Sequence, residues 1–162
     1  MSNKQDTIYA LSTPPGKSAI AVIRISGERS LDIIRSMSTS MPTRPNYSSL
    51  NTLKTKKGEV IDQTITTFYK APKSYTGENM VEIALHGGNA VIKKFINNLQ
   101  NFKKLRLAEP GEFTKRSFEN NKLDLTQVEA IADLVNSETE IQRKTAHNHL
   151  RGVFSAESKK IY

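Results

Sequence analysis

The stretch that decides the fold is residues 80–99, MVEIALHGGNAVIKKFINNL, in which the spacing of apolar residues changes at two glycines. Before Gly87 and Gly88 the apolar side chains alternate with a period of two, which predicts a β-strand. After the glycines they recur about every 3.6 residues, which predicts a helix. The helical positions are Val91, Ile92, Phe95, Ile96 and Leu99. A strand that leads directly into a helix indicates a fold that contains both elements.

The segments on either side extend this pattern. Residues 19–26, AIAVIRIS, carry apolar side chains on both faces, which is typical of a central strand. A strand in TIYAL precedes this segment, and the spacing in GERSLDIIRSM predicts an amphipathic helix after it. Residues 53–70 predict a hairpin turning near Lys57-Gly58, residues 105–109 a short strand, and the turn-rich residues 38–52 little regular structure. The predicted fold class is therefore α+β, a mixed sheet with flanking helices.

Past residue 120 the pattern is helical only. Thr126 with Glu129 predicts one capping box, and Ser137 with Glu140 predicts a second. The second helix would carry apolar residues at Ile141, Leu150, Val153 and Phe154. No Gly or Pro stop signal follows it, so we expect the first part of a helical bundle and a chain that is a fragment of a longer protein.

Charge is distributed unevenly along the chain. The net charge is +8, and residues 1–119 hold 18 Lys and Arg against 10 Asp and Glu, whereas residues 120–162 hold 6 against 6. This boundary predicts an α+β domain at 1–119 and the start of a truncated helical domain at 120–162. The basic excess suits an anionic partner such as nucleic acid, a polycarboxylate ligand or a membrane surface.

The length and the amino-acid types limit the kinds of chemistry. The 162 residues are enough for one domain with a smaller appendage. Cysteine is absent, which excludes disulfides, zinc-thiolate sites and thiol nucleophiles. The N-terminal residues do not resemble a secretory signal, and no apolar run approaches the roughly 20 residues that cross a bilayer. We therefore expect a cytoplasmic protein without membrane insertion.

Three short motifs indicate possible sites. PPGKS resembles the end of a P-loop, but Leu11 occupies the position of the first glycine and a strand follows, so a nucleotide site is rejected. Residues 86–88, HGG, end a strand where a helix begins, and either hold an anion or form a glycine-mediated turn. His147 and His149 point about 200° apart on a helix and do not form a metal pair.

Two charged residues lie on predicted strands. Alternation places Glu82 on the face opposite Val81 and Ile83, where it is either a surface residue or a carboxylate facing a ligand. Arg24 lies on a strand predicted to be central, and it either reaches solvent or is held for an anion. The charged residues 109–127 present the same choice between a solvated connector and the wall of a site.

Three segments carry a resemblance to a known family. They are TPPGKSAIAVIRISG, YTGENMVEIALHGG and LAEPGEFTKRSFENNKLDLTQVEAIADLV, and they resemble the N-terminal region of the bacterial and organellar tRNA modification GTPases MnmE, also called TrmE. The resemblance implies a folate-binding domain like the aminomethyltransferase (T-protein) of glycine cleavage, followed by a helical domain into which a G domain is inserted. This chain has no G domain, so GTP, potassium and magnesium would concern only the full-length protein.

The resemblance also implies a ligand and its contacts. The family's folate contacts fall on Arg24, Glu82 and Lys122, with 5-formyltetrahydrofolate or 5,10-methylenetetrahydrofolate as the ligand. The chemistry suits a pterin, because a carboxylate such as Glu82 can accept its adjacent N–H donors in pairs. Arg24 and Lys122 can meet carbonyl or carboxylate groups of the ligand, and Lys122 would place the charged stretch in the pocket wall.

The implied function is a folate-binding and homodimerisation module. The full enzyme would deliver a one-carbon unit to C5 of the tRNA wobble uridine together with the FAD-dependent MnmG, also called GidA, giving an aminomethyl or carboxymethylaminomethyl group. The fragment alone is not expected to complete the reaction, and no catalytic residue is assigned. Two alternatives stay open: a basic module that binds tRNA directly, and a structural assembly module in which Arg24, Glu82 and Lys122 form ordinary ion pairs.

Overall fold

The computed structural model describes residues 6–40 and 44–151. By its internal contacts the chain divides into a first unit, residues 1–110, and a second unit, residues 111–162. The first unit contains β1 (Thr7–Leu11), β2 (Ile20–Ser26), α1 (Ser30–Met37), β3 (Ser48–Lys54), β4 (Val60–Tyr69), β5 (Met80–His86), α2 (Asn89–Leu99) and β6 (Leu105–Leu107). The second contains α3 (Glu112–Glu119), α4 (Leu125–Val135) and α5 (Glu140–Leu150).

The six strands of the first unit form one sheet in the order β3-β4-β5-β2-β1-β6. All neighbouring strands are antiparallel except β1 and β6, which are parallel, so the sheet is mixed. The α+β prediction is confirmed, and β2 lies between β1 and β5 in the interior of the sheet, as its two apolar faces predict.

One face of the sheet carries the hydrophobic core. Alternation along β5 directs Val81, Ile83 and Leu85 to this face, where all three are buried. Helices α1 and α2 contribute to the same cluster, with Ile33, Ile34, Met37, Phe95 and Leu99 buried in it. The opposite face of the sheet is therefore the one that carries Glu82 and Arg24.

The structure corrects the prediction that residues 38–52 lack regular structure. Residues 48–54 form β3, which pairs with β4 in an antiparallel hairpin at the edge of the sheet. The predicted hairpin with a turn near Lys57-Gly58 is confirmed, but its first strand begins at Ser48. That beginning was not predicted because the sequence of β3, SSLNTLK, is rich in Ser, Thr and Asn, which are typical of turns. Its pairing with β4 stabilises an extended backbone in spite of that composition.

The charged stretch at 109–127 forms α3 and the start of α4. Glu112 and Arg116, one helical turn apart in α3, make a buried ion pair with Arg116 Nη2 3.0 Å from Glu112 Oε1. Helix α3 was not predicted, because its charges give the segment the composition of an exposed loop. The charge-based boundary between residues 119 and 120 follows the last residue of α3, whereas the internal contacts divide the chain between residues 110 and 111, so the domain boundary at 119 stays a prediction.

The predicted capping boxes are wrong in their residues. Asp124 caps α4, with its carboxylate accepting from the Gln127 backbone N–H at 2.8 Å, while Thr126 donates its hydroxyl to Asp124. In the same way Thr139 caps α5 and pairs with Gln142.

The residues predicted for the second box have other places in the structure. The Ser137 hydroxyl donates to the Leu134 carbonyl at the end of α4. Glu140 lies in the first turn of α5, where it pairs with Arg143. The predicted helix positions Val153 and Phe154 lie outside the described residues.

Candidate functional site

Glu82 and Arg24 face each other across the centre of the sheet. They are directly opposite in the antiparallel pairing of β5 with β2. The Arg24 Nε atom donates to Glu82 Oε1 at 2.8 Å, and Nη2 lies 2.7 Å from the same oxygen. About a quarter of each side chain is exposed, 25% for Glu82 and 27% for Arg24. The pair is thus mostly buried yet accessible from the face of the sheet that lies opposite the core.

Tyr69, at the end of β4, holds the second oxygen of the carboxylate. Its hydroxyl donates to Glu82 Oε2 at 3.1 Å. Burial raises the pKa of Tyr69 above its usual value of 10.0, and the charge of Glu82 and its hydrogen bond raise it further, whereas Arg24 and Thr67 act in the opposite direction. The hydroxyl therefore stays protonated at neutral pH and remains a donor to Glu82.

The loop before β5 places an aromatic ring beside this group. The Arg24 guanidinium carbon lies 5.3 Å from the centroid of the Tyr75 ring, within the range of a cation–π contact. The neighbouring loop residues are anchored to Ser26 of β2, whose hydroxyl lies 2.7 Å from Thr76 Oγ1 and donates to Glu78 Oε2 at 2.8 Å. The conformation of the loop is thus fixed next to Tyr75.

Apolar side chains surround the charged group on the same face. Leu50, Ile65, Ala84 and Val22 occupy consecutive register positions across β3, β4, β5 and β2. Leu50 and Ile65 are exposed, as is Ile20 two residues from Val22. The arrangement offers one polar, charged position beside an apolar surface, which suits a ligand with a flat heterocycle and polar edges.

Lys122 lies in the second unit, in the turn that joins α3 to α4. Asn121 before it has a left-handed conformation with φ of 55°, and the Lys122 N–H donates to the Ser117 carbonyl at 2.8 Å. Its exposed side chain borders a cavity of about 520 Å³ that Phe118 and Gln127 also line. The structure brings Arg24 and Glu82 together within the first unit, and the place of Lys122 beside them stays a prediction.

The HGG turn favours the glycine interpretation over an anion site. The Gly87 N–H already donates to the Ala19 carbonyl at 3.2 Å. A Cβ atom at Gly87 would also lie 2.8 Å from the carbonyl carbon of Ser18, so a glycine is needed for the close approach of the two segments. His86 contacts the Asp62 carboxylate, with Nδ1 2.7 Å from Oδ1.

Neither a metal centre nor a membrane span is found in the part of the chain that the structure describes. No group of three or more His, Asp or Glu side chains there is placed to hold a metal ion. Among the same residues, no helix combines the length and hydropathy needed to cross a bilayer.

Tyr69 and Tyr75 were not predicted from the sequence as residues of the site. Tyr69 follows Thr67 at the two-residue spacing that places both on one face of β4, and Thr67 lies opposite Glu82 in the sheet. Knowledge of the β4–β5 register would therefore have placed Tyr69 on the same face as Glu82. Tyr75 lies in a loop, where no periodicity indicates the direction of a side chain.

Comparison with known proteins gives a consistent family. The model of the GTP-binding protein TrmE N-terminus matches residues 7–122. The tRNA modification GTPase MnmE of Aquifex aeolicus is 45% identical over 152 residues, covering 93% of this chain and 34% of that protein. The proteins of the same name from Anaplasma marginale and Dinoroseobacter shibae are each 47% identical, over 89% and 87% of this chain and 32% and 33% of their own lengths.

The chain spans about a third of the length of these curated relatives. The matched segment includes the whole sheet, Arg24, Glu82 and Lys122. Because the family model covers well over half of the sequence, the chain belongs to the family of the GTP-binding protein TrmE N-terminus.

Proposed function

We propose that this chain is the tetrahydrofolate-binding and homodimerisation module of a tRNA-modifying GTPase. The observation that carries the proposal is the Glu82 carboxylate, held between Arg24 and Tyr69 on the face of the sheet opposite the core. A mostly buried carboxylate with fixed orientation and remaining access to solvent is suited to recognise a ligand with paired N–H donors.

The chemistry of the residues fits a pterin. A carboxylate offers about four acceptor positions, and Glu82 uses two on Oε1 for Arg24 and one on Oε2 for Tyr69. One further donor can therefore bind at Oε2 in the arrangement seen, and a second can bind at Oε1 if Arg24 turns toward the ligand. Lys122, from the second unit, is the third proposed contact. The ligand would be 5-formyltetrahydrofolate or 5,10-methylenetetrahydrofolate, which supplies a one-carbon unit when bound.

The role in the full-length protein follows from the family. The relatives are named as tRNA modification GTPases, and we propose the same activity for a protein of their full length that contains this chain. It would install an aminomethyl or carboxymethylaminomethyl group at C5 of the tRNA wobble uridine, with MnmG as partner. GTP, potassium and magnesium would act at parts of the protein that lie beyond this chain.

Homodimerisation is supported by the exposed apolar residues of the sheet. Leu50 and Ile65 are directly opposite each other in the β3–β4 pairing, and Ile20 is exposed on the same face. A contiguous apolar surface of this kind favours contact with another protein surface. In the proposed dimer the second copy covers part of this face.

The test is calorimetric titration of 5-formyltetrahydrofolate into the purified chain and three variants. Glu82→Gln keeps the size of the side chain but removes its charge, and Lys122→Gln does the same at the second unit. Asp32→Asn is the matched control, because Asp32 is an exposed carboxylate on α1.

We expect saturable binding by the parent and the control, and a loss of at least tenfold in affinity for Glu82→Gln and Lys122→Gln. Equal affinity in Glu82→Gln and the parent would contradict the proposed contact. A folded, dimeric parent that does not bind folate would favour the structural assembly module, in which the Arg24–Glu82 pair only stabilises the sheet.

A further inference from the structure

A second cavity lies on the helical side of the first unit, away from Glu82. It has a volume of about 330 Å³ and lies between the β3–β4 turn and the C-terminal part of α2. Phe102 and Met37 form an apolar floor, and Lys56, Lys57 and Lys94 surround it. An apolar floor with a basic rim suits a ligand that combines a flat apolar part with a negative charge.

The rim carries more positive than negative charge. Glu59 is the acidic residue in the lining, and it forms an ion pair with Lys94. Lys56 and Lys57 are both exposed and lie in the tight turn that begins at Thr55, whose carbonyl accepts from the Gly58 N–H at 2.9 Å. Two adjacent ammonium groups on a fixed turn are a suitable arrangement for a phosphate, which lysine binds as a point charge.

Phe102 is the aromatic part of the cavity. Its ring is half-buried and packs against the hydrophobic core, which fixes its orientation. The Lys56 ammonium lies 5.3 Å from the ring centroid, so an exposed part of the ring faces the rim. If Lys56 moved from the ring to a phosphate, a planar base could take its place on Phe102.

Two amides extend the lining toward a polar ligand. The Asn98 side-chain nitrogen donates to the Lys94 carbonyl at 2.8 Å, and that of Asn101 donates to the Asn97 carbonyl at 3.0 Å. One N–H of each amide is thus used by α2, which leaves the amide oxygen as an acceptor and a second N–H as a donor. Such acceptors suit a ribose hydroxyl or the amino group of a base.

We propose that this cavity binds a nucleotide, with its phosphate between Lys56 and Lys57 and its base on Phe102. The nucleotide is either free or part of an RNA chain, and the names of the relatives favour a nucleotide of tRNA. Only the tRNA form rests on the proposed function. The cavity itself is independent of folate, because none of Arg24, Glu82 and Lys122 lines it.

The experiment measures the binding of two probes to the purified chain, an unmodified tRNA transcript and adenosine 5′-monophosphate. The variants are Lys56→Gln with Lys57→Gln, and Phe102→Leu, which keeps an apolar side chain against the core but removes the ring. Lys17→Gln is the matched control, because Lys17 is an exposed loop lysine that does not line the cavity. Titration of 5-formyltetrahydrofolate into the parent reports separately on the folate site, and thermal unfolding verifies that each variant is folded.

We expect the double lysine variant to bind tRNA roughly tenfold more weakly, with a salt slope less negative by about one to two, because up to two phosphate contacts are lost. Phe102→Leu should weaken binding at least about fivefold through the loss of base stacking. Lys17→Gln should bind both probes as the parent does. Loss of adenosine monophosphate binding in the same variants, with tRNA unaffected, would support the free nucleotide as the ligand.

The proposal would be overturned if the parent bound neither probe, or if the lysine and Phe102 variants bound both as the parent does. A parent that binds tRNA through this cavity but does not bind folate would refute the proposed folate function and leave the nucleotide site intact. The two proposals therefore fail independently.

Discussion

Tyr69→Phe tests whether the carboxylate of Glu82 is positioned for a ligand or only paired with Arg24. The substitution keeps the ring and removes the hydroxyl that donates to Glu82 Oε2 at 3.1 Å. Arg24 Nε and Nη2 both contact Oε1, so the substitution removes the Tyr69 contact to the second oxygen. The proposed ligand would then have to orient the carboxylate during binding.

The magnitude follows from the exposure of the pair. A hydrogen bond to a charged group contributes about 1.5–3 kcal/mol when its removal leaves the partner unsatisfied. Glu82 is 25% exposed, so water can replace part of the lost contact, and about 1 kcal/mol remains. We therefore expect a decrease of about 1 kcal/mol in the free energy of unfolding and, from the same loss of orientation, roughly fivefold weaker folate binding.

The assay combines urea unfolding with calorimetric titration of 5-formyltetrahydrofolate. Tyr47→Phe is the matched control, because Tyr47 is an exposed tyrosine whose ring contacts Arg44. Removal of its hydroxyl should change neither the free energy of unfolding nor the folate affinity. If Tyr69→Phe lowered the stability but bound folate as tightly as the parent, Tyr69 would have a structural role only. Unchanged values of both quantities would refute the argument from the hydrogen bond itself.

Three further changes test the fold and the titration of the site. Gly87→Ala should lower the free energy of unfolding by roughly 2 kcal/mol, because the added carbon meets the Ser18 backbone, whereas Gly88→Ala has space and should cost well under half of that in urea unfolding. Asp124→Ala should destabilise α4 by about 1 kcal/mol through loss of its cap, measured by the same method. The raised pKa of Tyr69 favours its protonated form in the folded state, so its contribution to stability is complete below pH 10.0 and is lost as the pH rises through the higher folded value. Unfolding measured above pH 10 should therefore depend less on pH in Tyr69→Phe than in the parent.

The sequence predicted the strands and helices that carry most of the core, because their apolar spacing is regular. It also predicted the face of β5 on which Glu82 lies. The contact of Glu82 with Arg24 could not be derived from local pattern, since the two residues are 58 positions apart and meet only through the register of two strands.

Elements stabilised by polar residues were predicted least well. The edge strand β3 is rich in Ser, Thr and Asn, and its extended form depends on hydrogen bonds to β4. Helix α3 buries an ion pair between Glu112 and Arg116, so two of its buried positions hold charged residues of the kind usually found on a protein surface. Hydrophobic periodicity does not report burial where the buried side chains are charged and paired.

The sheet separates the two proposed sites physically. Glu82 points away from the face on which Val81 and Ile83 are buried, whereas Met37 and Phe102, which form the floor of the lysine-rimmed cavity, pack against the core on that buried face. A change in the charge of either site must therefore act on the other through a packed layer of apolar side chains. Residues with no shared partner usually make additive contributions. For the combined variant Glu82→Gln with Lys56→Gln, the changes in the free energy of folate binding and in that of tRNA binding should each equal the sum of the changes in the two single variants. A large deviation from either sum would indicate a conformational link across the sheet.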